Sequence, residues 1–218
     1  MNENIYFIEK RVATKNLAIG KTVYGERLLQ FEGDEYREWD PYRSKFAAAI
    51  RKGLKQIPIK QKMHVLYLGA ASGTTASHVS DLVGPEGIVY CVEFSPRAMW
   101  DLLRVCENRS NMIPILADAR FPETYRMFIG PVDVIYQDVA QPAQAIILVD
   151  NAKLFLKNRG FTMLAIKARS IDSSKEISKI FSEEIDILKE NGFIVEENIE
   201  SLKPFDKDHC MVIGQLIS

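Results

Sequence analysis

The chain has 218 residues, 47% of them hydrophobic, with a formal net charge of -1. That length supports one sizeable core with a small appendage, and a charged fraction of 26% excludes wholesale disorder. A bulk positive field for gripping nucleic acid is also excluded. The charge is uneven, however: residues 1–62 hold 13 Lys and Arg against 8 Asp and Glu, and residues 63–218 hold 15 against 21. A local basic face for an RNA or an acidic partner is therefore still available. Cys91, Cys106 and Cys210 are odd in number and far apart, and no C-x-x-C pair exists. Neither a zinc site nor a disulfide framework is expected, and a reducing compartment fits. No apolar run approaches the ~20 residues of a membrane span. Met1-Asn2-Glu3-Asn4 lacks the basic start of a secretory signal. A soluble, cytoplasmic protein is expected.

In chain order, residues 4–38 alternate short apolar stretches (Ile5–Ile8, Thr22–Tyr24, Leu28–Phe31) with turn-forming segments. This predicts a small N-terminal β subdomain over 1–38. A helix is predicted from Asp40, with Asp40 as cap and Pro41 at its first position. Strand-length apolar runs follow at His64–Leu68, Ile88–Val92, Met112–Leu116, Val132–Tyr136 and Phe161–Ile166. Helical stretches at 74–83, 97–109, 120–128 and 142–157 separate them. Strands apolar along their whole length are buried on both faces, which indicates a parallel sheet between helices. After a helix at 174–190 come Phe193–Ile199 and His209–Leu216, joined by only nine residues. A parallel crossover needs about a dozen, so these two strands should pair antiparallel. The fold class is α/β, with five parallel strands plus a C-terminal antiparallel hairpin over 39–218.

Ligands of open α/β sheets bind outside the carboxyl ends of the strands. The first exit is Gly69-Ala70-Ala71-Ser72-Gly73-Thr74-Thr75, small residues leading to a helix N-terminus with amides for an anion. Its spacing lacks the third glycine of a dinucleotide fingerprint, and the antiparallel end also counts against a nicotinamide-dependent oxidoreductase. The second exit is Glu93, 20 residues after Gly73, where an acid can accept both ribose hydroxyls. Phe94 beside it is placed to stack on an adenine. The third exit, Asp118-Ala119, offers an acceptor for an exocyclic amine. The fourth is Asp138-Val139-Ala140-Gln141 and the fifth is Lys167-Ala168-Arg169. Amides for a carboxylate, an acid for ribose and an acid for an adenine amine suit S-adenosyl-L-methionine. A carboxylate-rich pocket also suits its sulfonium.

Five runs carry a resemblance: Glu38-Trp39-Asp40-Pro41-Tyr42-Arg43-Ser44-Lys45, Leu66-Tyr67-Leu68-Gly69-Ala70-Ala71-Ser72-Gly73-Thr74-Thr75, Tyr90-Cys91-Val92-Glu93-Phe94-Ser95, Tyr136-Gln137-Asp138-Val139-Ala140-Gln141-Pro142 and Ile166-Lys167-Ala168-Arg169-Ser170. The sequence resembles the fibrillarin family, in its short archaeal-type form, over nearly the whole chain. The resemblance implies a Rossmann-like RNA 2′-O-methyltransferase of box C/D guide-RNA particles, acting on rRNA and tRNA. It also implies a Nop-family scaffold protein, a kink-turn-binding ribosomal-type protein and a guide RNA as partners. A homodimer through the N-terminal strands is a further candidate assembly, since exposed strand edges pair readily.

The Lys-Asp-Lys pattern of RNA 2′-O-methyltransferases carries over onto Lys45, Asp138 and Lys167, with His209 matching a fourth position that is often Glu. Lys167 would orient or deprotonate the attacking hydroxyl, with Lys45 as the neighbouring cation and Asp138 holding Lys167. A free lysine titrates near about 10.4, and burial or a nearby cation lowers that value. Arg97, Arg120, Arg126 and Arg169 are candidates for RNA phosphates, and Glu183-Glu184-Asp186 is a candidate face for a basic scaffold. Trp39 and Trp100 read as packing residues, and Cys106 and Cys210 as buried or inert thiols. With no strong basic field, the chain alone should bind RNA weakly. The competing readings are a protein (glutamine) methyltransferase and an inactive scaffold subunit.

Overall fold

The computed structural model describes residues 4–217; residues 1–3, part of the segment read for a signal, and residue 218 lie outside the described residues. A first, antiparallel sheet contains β1 (Ile5–Ile8), β2 (Arg11–Lys15), β3 (Leu28–Phe31) and β4 (Asp34–Glu38), in the order β1-β2-β4-β3. Thr22–Tyr24, expected as a strand, is a loop instead. The amides of Val23 and Tyr24 donate to the Glu26 carboxylate at 3.0 and 2.8 Å, which removes them from any ladder. The apolar pattern does not announce β2 or β4, because both are rich in charge. Arg37 of β4 is nonetheless fully buried, donating to Glu26 at 2.6 Å, Asp81 at 2.9 Å and Ser77 at 2.9 Å.

The first helix also departs from expectation. Asp40 closes a turn, accepting the Tyr42 amide at 2.8 Å, and α1 (Lys45–Arg51) starts only after Ser44, whose hydroxyl accepts the Ala47 amide at 3.3 Å. Lys45 therefore stands at the very start of α1.

The second sheet holds β5 (His64–Leu68), β6 (Ile88–Glu93), β7 (Met112–Leu116), β8 (Val132–Gln137), β9 (Leu156–Lys167), β10 (Phe193–Ile199) and β11 (His209–Leu216). Their order is β10-β11-β9-β8-β5-β6-β7. The β6–β7, β5–β6, β5–β8 and β8–β9 pairs are parallel, and β11 runs antiparallel to both β9 and β10. The expected parallel strands and terminal hairpin are present. The helices are α2 (Thr74–Val83), α3 (Pro96–Cys106), α4 (Gln144–Phe155), α5 (Ala168–Ile171) and α6 (Ile177–Glu190). The stretch 120–128 forms a 3-10 turn, Pro122–Phe128. Helix α4 ends at Phe155 because Leu156 is already extended and opens β9. Helix α6 starts late because Asp172 takes the amides of Ser174 and Lys175 at 2.7 and 3.1 Å.

Side chains alternate across the sheet. Val65 and Tyr67 of β5 pack in one core with Phe46 of α1, Val79 and Leu82 of α2 and Leu102 of α3. Leu66 and Leu68 face the other core, with Leu148 of α4 and Ile180 and Leu188 of α6. Trp39 is buried and stacks on His78, 4.8 Å between ring centroids. Trp100 is not a packing residue as expected: it is 69% exposed, on the face of α3 opposite the buried Met99 and Leu102. Glu184 is likewise turned inward, accepting the Ala145 amide at 2.6 Å at the start of α4, where no side chain of that helix provides a cap. The acidic run of α6 is thus not wholly a surface feature.

A buried polar network fastens the first sheet to α2. Asp81 receives Arg37, Arg109 at 2.6 Å and the Thr14 hydroxyl at 2.8 Å, and Thr14 also meets His78 Nδ1 at 2.8 Å. Burial, reinforced by Arg37 and Arg109, holds His78 well below the ordinary imidazole range. Among the described residues, no helix is long and apolar enough to cross a membrane.

Candidate active site

Strand order reverses at β5, which pairs with β6 on one side and β8 on the other. A cavity of about 250 Å³ opens there, outside the carboxyl ends of the strands. Its lining includes most of the strand-exit residues singled out from sequence: Gly69, Ala71, Glu93, Phe94, Asp118, Ala119, Asp138, Val139, Ala140 and Gln141. Gly73, Thr74 and Thr75 are not in that lining. The Thr75 hydroxyl donates to Ser44 at 3.0 Å and so joins α2 to the cap of α1. The amides opening α2 receive no side-chain cap from Gly73.

The backbone turns tightly at the first exit. Gly69 has φ +81°, and a Cβ there would lie 2.9 Å from the Asp138 carbonyl oxygen. Glu93 is pre-oriented by two amides, Ala71 N–H at 2.8 Å and Ser95 N–H at 2.7 Å. A carboxylate has about four acceptor sites, so Glu93 keeps capacity for a diol. Phe94 is 65% exposed at the rim. Asp118 is engaged by Arg120, whose Nε lies 3.0 Å and Nη2 2.6 Å from Oδ2. That hydrogen bonding holds the Asp118 carboxyl below its ordinary range. Arg120 lines the cavity with Ala117 and Ile147, which sequence reasoning did not assign to it. The signal for Arg120 was its place two residues after an exit acid.

Of the three residues of the Lys-Asp-Lys pattern, Asp138 and Lys167 line the cavity. The three come from α1, the β8 exit and the β9 exit, yet they meet. Lys167 Nζ lies 2.8 Å from Asp138 Oδ1, while its directed hydrogen bond, also 2.8 Å, goes to the Asp138 carbonyl. Lys45 Nζ lies 3.3 Å from the same Oδ1. All three side chains are mostly buried, with 15–18% of their surface exposed. The β9 exit is held by Gln144 of α4, which accepts the Lys167 amide at 2.9 Å and donates to the Lys167 carbonyl at 3.2 Å. Gln137 in turn donates to the Gln144 carbonyl at 2.7 Å. His209 sits beside Lys167 in register across β11 and β9. It reaches the set through Asp206, which sequence reasoning missed: His209 Nδ1 is 2.8 Å from Asp206 Oδ1, and Asp206 Oδ2 is 3.6 Å from Lys45 Nζ.

Of the arginines proposed for RNA, Arg120 is held by Asp118, Arg126 pairs with Glu123 at 3.4 Å, and Arg169 donates to the carbonyls of Ser173 and Lys175. Arg97 is exposed.

The chain as a whole is similar to known proteins. The Sulfurisphaera tokodaii protein named fibrillarin-like rRNA/tRNA 2′-O-methyltransferase is 58% identical over 205 residues, spanning 94% of this chain and 88% of its own. The structure of Aeropyrum pernix fibrillarin with natively bound S-adenosyl-L-methionine superposes with a TM-score of 0.88 at 52% identity, covering 96% of this chain and 92% of its own. A fibrillarin chain from a fibrillarin/Nop5p complex superposes with a TM-score of 0.90 at 40% identity, covering 100% and 99%. The Fibrillarin family model matches residues 1–218, and the chain belongs to that family.

Proposed function

We propose that this protein is an S-adenosyl-L-methionine-dependent RNA 2′-O-methyltransferase acting on rRNA and tRNA. The observation that carries the reading is the sharing of Asp138. Asp138 lines the strand-end cavity, and its carboxylate lies within 3.3 Å of the ammonium groups of both Lys45 and Lys167. A donor held in that cavity and a hydroxyl held by those lysines would therefore meet.

The residues present fit the donor. Glu93 faces the cavity with spare acceptor capacity for ribose, and Phe94 offers a ring face at its rim. Asp118, with the lone pairs Arg120 leaves free, is the acceptor for the adenine amine. The uncapped amides at Thr74 and Thr75, behind Gly73, suit a carboxylate, and Ala119, Val139, Ala140 and Gln141 complete the walls. Bound there, S-adenosyl-L-methionine supplies an electrophilic methyl group with a good leaving group. The chain's task is alignment and proton removal. Lys167 orients the 2′-hydroxyl and assists its deprotonation, Asp138 fixes the Lys167 ammonium, and Lys45 places a second cation beside it. His209 completes the set.

The near-neutral net charge supports delivery of RNA by partners rather than by the chain's own field. The partners of this reading are a Nop-family scaffold protein, a kink-turn-binding protein and a box C/D guide RNA. The N-terminal unit (residues 1–38) would act as a separate interaction unit from the methyltransferase unit (39–218). Its outer strands carry the half-exposed Phe7 and Phe31, which suit pairing with a second copy. The three free thiols suit the cytoplasm.

The test is transfer of labelled methyl from S-adenosyl-L-methionine to a target RNA in the reconstituted particle. The control is the same target with 2′-deoxyribose at the selected nucleotide. Label on the ribose target alone is expected; equal label on both, or label on protein only, refutes the reading.

A further inference from the structure

Asp206 is the one charged link at the site that the methyl-transfer reading leaves without a task. It lies in the segment joining β10 to β11, and that segment is built rather than loose. The Phe205 and Asp206 amides donate to the Leu202 carbonyl at 3.0 and 3.2 Å, and the Leu202 amide donates to the His209 carbonyl at 3.2 Å. Leu202 is fully buried, and the Phe205 ring packs edge-on against Tyr42 at 5.2 Å.

The two oxygens of Asp206 do different things. Oδ2 lies 3.6 Å from the Lys45 ammonium, which also meets Asp138. Oδ1 lies 2.8 Å from His209 Nδ1. The Lys207 carbonyl also meets that same nitrogen. A carboxylate and a carbonyl both accept, so Nδ1 must carry the proton. In the neutral ring Nε2 then holds the lone pair. Ion pairs thus run from Lys167 through Asp138, Lys45 and Asp206 to His209, whose backbone is paired in register with that of Lys167. Burial raises the Asp206 carboxyl, but the His209 hydrogen bond and charge, together with Lys45, outweigh it and hold the group below its ordinary range.

We propose that Asp206 is a positioning residue: one oxygen fixes His209 as the Nδ1–H tautomer with Nε2 as acceptor, and the other pins the Lys45 ammonium beside Asp138. The catalytic half of this rests on the methyl-transfer reading above; the tautomer does not.

Two measurements test it. Nitrogen-15 NMR of the full chain should show a protonated Nδ1 and a bare Nε2 in the neutral His209 ring. A dominant Nε2–H form overturns the proposal whether or not the protein turns over. In the reconstituted particle, Asp206→Asn should lower kcat at least tenfold with the donor Kd and the RNA KM within twofold, and Asp206→Glu should recover part of the loss. Combined with His209→Gln, the Asp206→Asn loss should be less than additive. A wild-type kcat for Asp206→Asn, or fully additive losses, overturns the proposal. A wild-type particle that methylates no RNA would instead defeat the methyl-transfer reading, and the tautomer alone would then decide the Asp206 orientation.

Discussion

Replacing Gly69 by Ala tests the contact that joins the donor loop to the acceptor set. Two costs can be worked out. At φ +81° an L side chain is strained, by about 1–2 kcal/mol. The new Cβ would also lie 2.9 Å from the Asp138 carbonyl oxygen, 3.1 Å from its carbon and 3.2 Å from Val139 Cγ1. Two of those atoms are backbone, so relief requires the β8 exit to move, and overpacking of this kind costs roughly 1–3 kcal/mol. The sum, about 2–5 kcal/mol, corresponds to a Tm drop of roughly 4–20 °C at this chain length. The shift also moves the carbonyl that receives Lys167 Nζ and the carboxylate that meets both lysines. Misplacement approaching 1 Å costs on the order of a hundredfold in rate. Gly20→Ala is the control. It has φ +74° with nothing within 4 Å of its Cβ, so it should incur only the conformational cost and retain full turnover. Thermal melts and methyl transfer on both variants decide the matter. A Gly69→Ala protein that matches Gly20→Ala in Tm and in turnover refutes the close approach of Gly69 to Asp138.

Other outcomes follow from the same geometry. Lys167→Ala should lower turnover by roughly 10²- to 10⁴-fold while calorimetry finds donor affinity nearly intact; wild-type turnover removes its assigned role. Phe94→Ala should weaken donor binding by the roughly 0.5–1.5 kcal/mol of an aromatic contact, and an unchanged Kd excludes stacking. Arg37→Met removes one partner of a buried charge cluster and should cost about 3–5 kcal/mol, read as a lowered denaturation midpoint; a loss under about 1 kcal/mol would mean that Arg109 alone suffices for Asp81. His78 stays neutral in the fold because burial, then Arg37 and Arg109, disfavour its cation. Below its ordinary value of 6.5, the unfolded ring takes up a proton that the folded ring refuses. Stability therefore rises with pH across that window and is lost on acidification, by up to about 1.4 kcal/mol per pH unit. Stability compared at pH 7 and 5.5 should fall more steeply for wild type than for His78→Gln, and equal slopes refute the assignment.

The sheet was legible in the sequence because burial on both faces leaves a signature. The strands at 64–68, 88–92, 112–116 and 132–136 are apolar at nearly every position. The strand exits were legible for a related reason. Polar groups that end apolar strands must meet solvent or a ligand, and here Glu93, Asp118 and Asp138 face one cavity. The first sheet was harder to read because its stability comes from elsewhere. Strand β4 hides a charge by matching it, Arg37 against Glu26 and Asp81, and Asp81 lies 44 residues away on α2. No local pattern encodes a match at that distance. Ser44 and Asp40 illustrate the opposite limit. Both are good caps, and the choice between them was made by tertiary contact, since the Thr75 hydroxyl donates to Ser44.

Asp206 combines both difficulties. Its neighbours in sequence, Lys203, Lys207 and Asp208, make it look like one more solvated charge. Its role depends on partners at residues 45 and 209, and only the return of the chain between β10 and β11 brings the first of these within reach. The same return seats Leu202 in the core and sets Phe205 against Tyr42, just ahead of α1. A segment anchored on both sides of Asp206 by apolar contacts holds a carboxylate in place without further side-chain entropy cost. Moving that anchor should therefore act on Lys45 and His209 together. Phe205→Ala, which keeps every charge of the site, should weaken methyl transfer through Asp206 and lose little more when Asp206→Asn is added. Full turnover in Phe205→Ala would mean that the charges alone hold Asp206 in place.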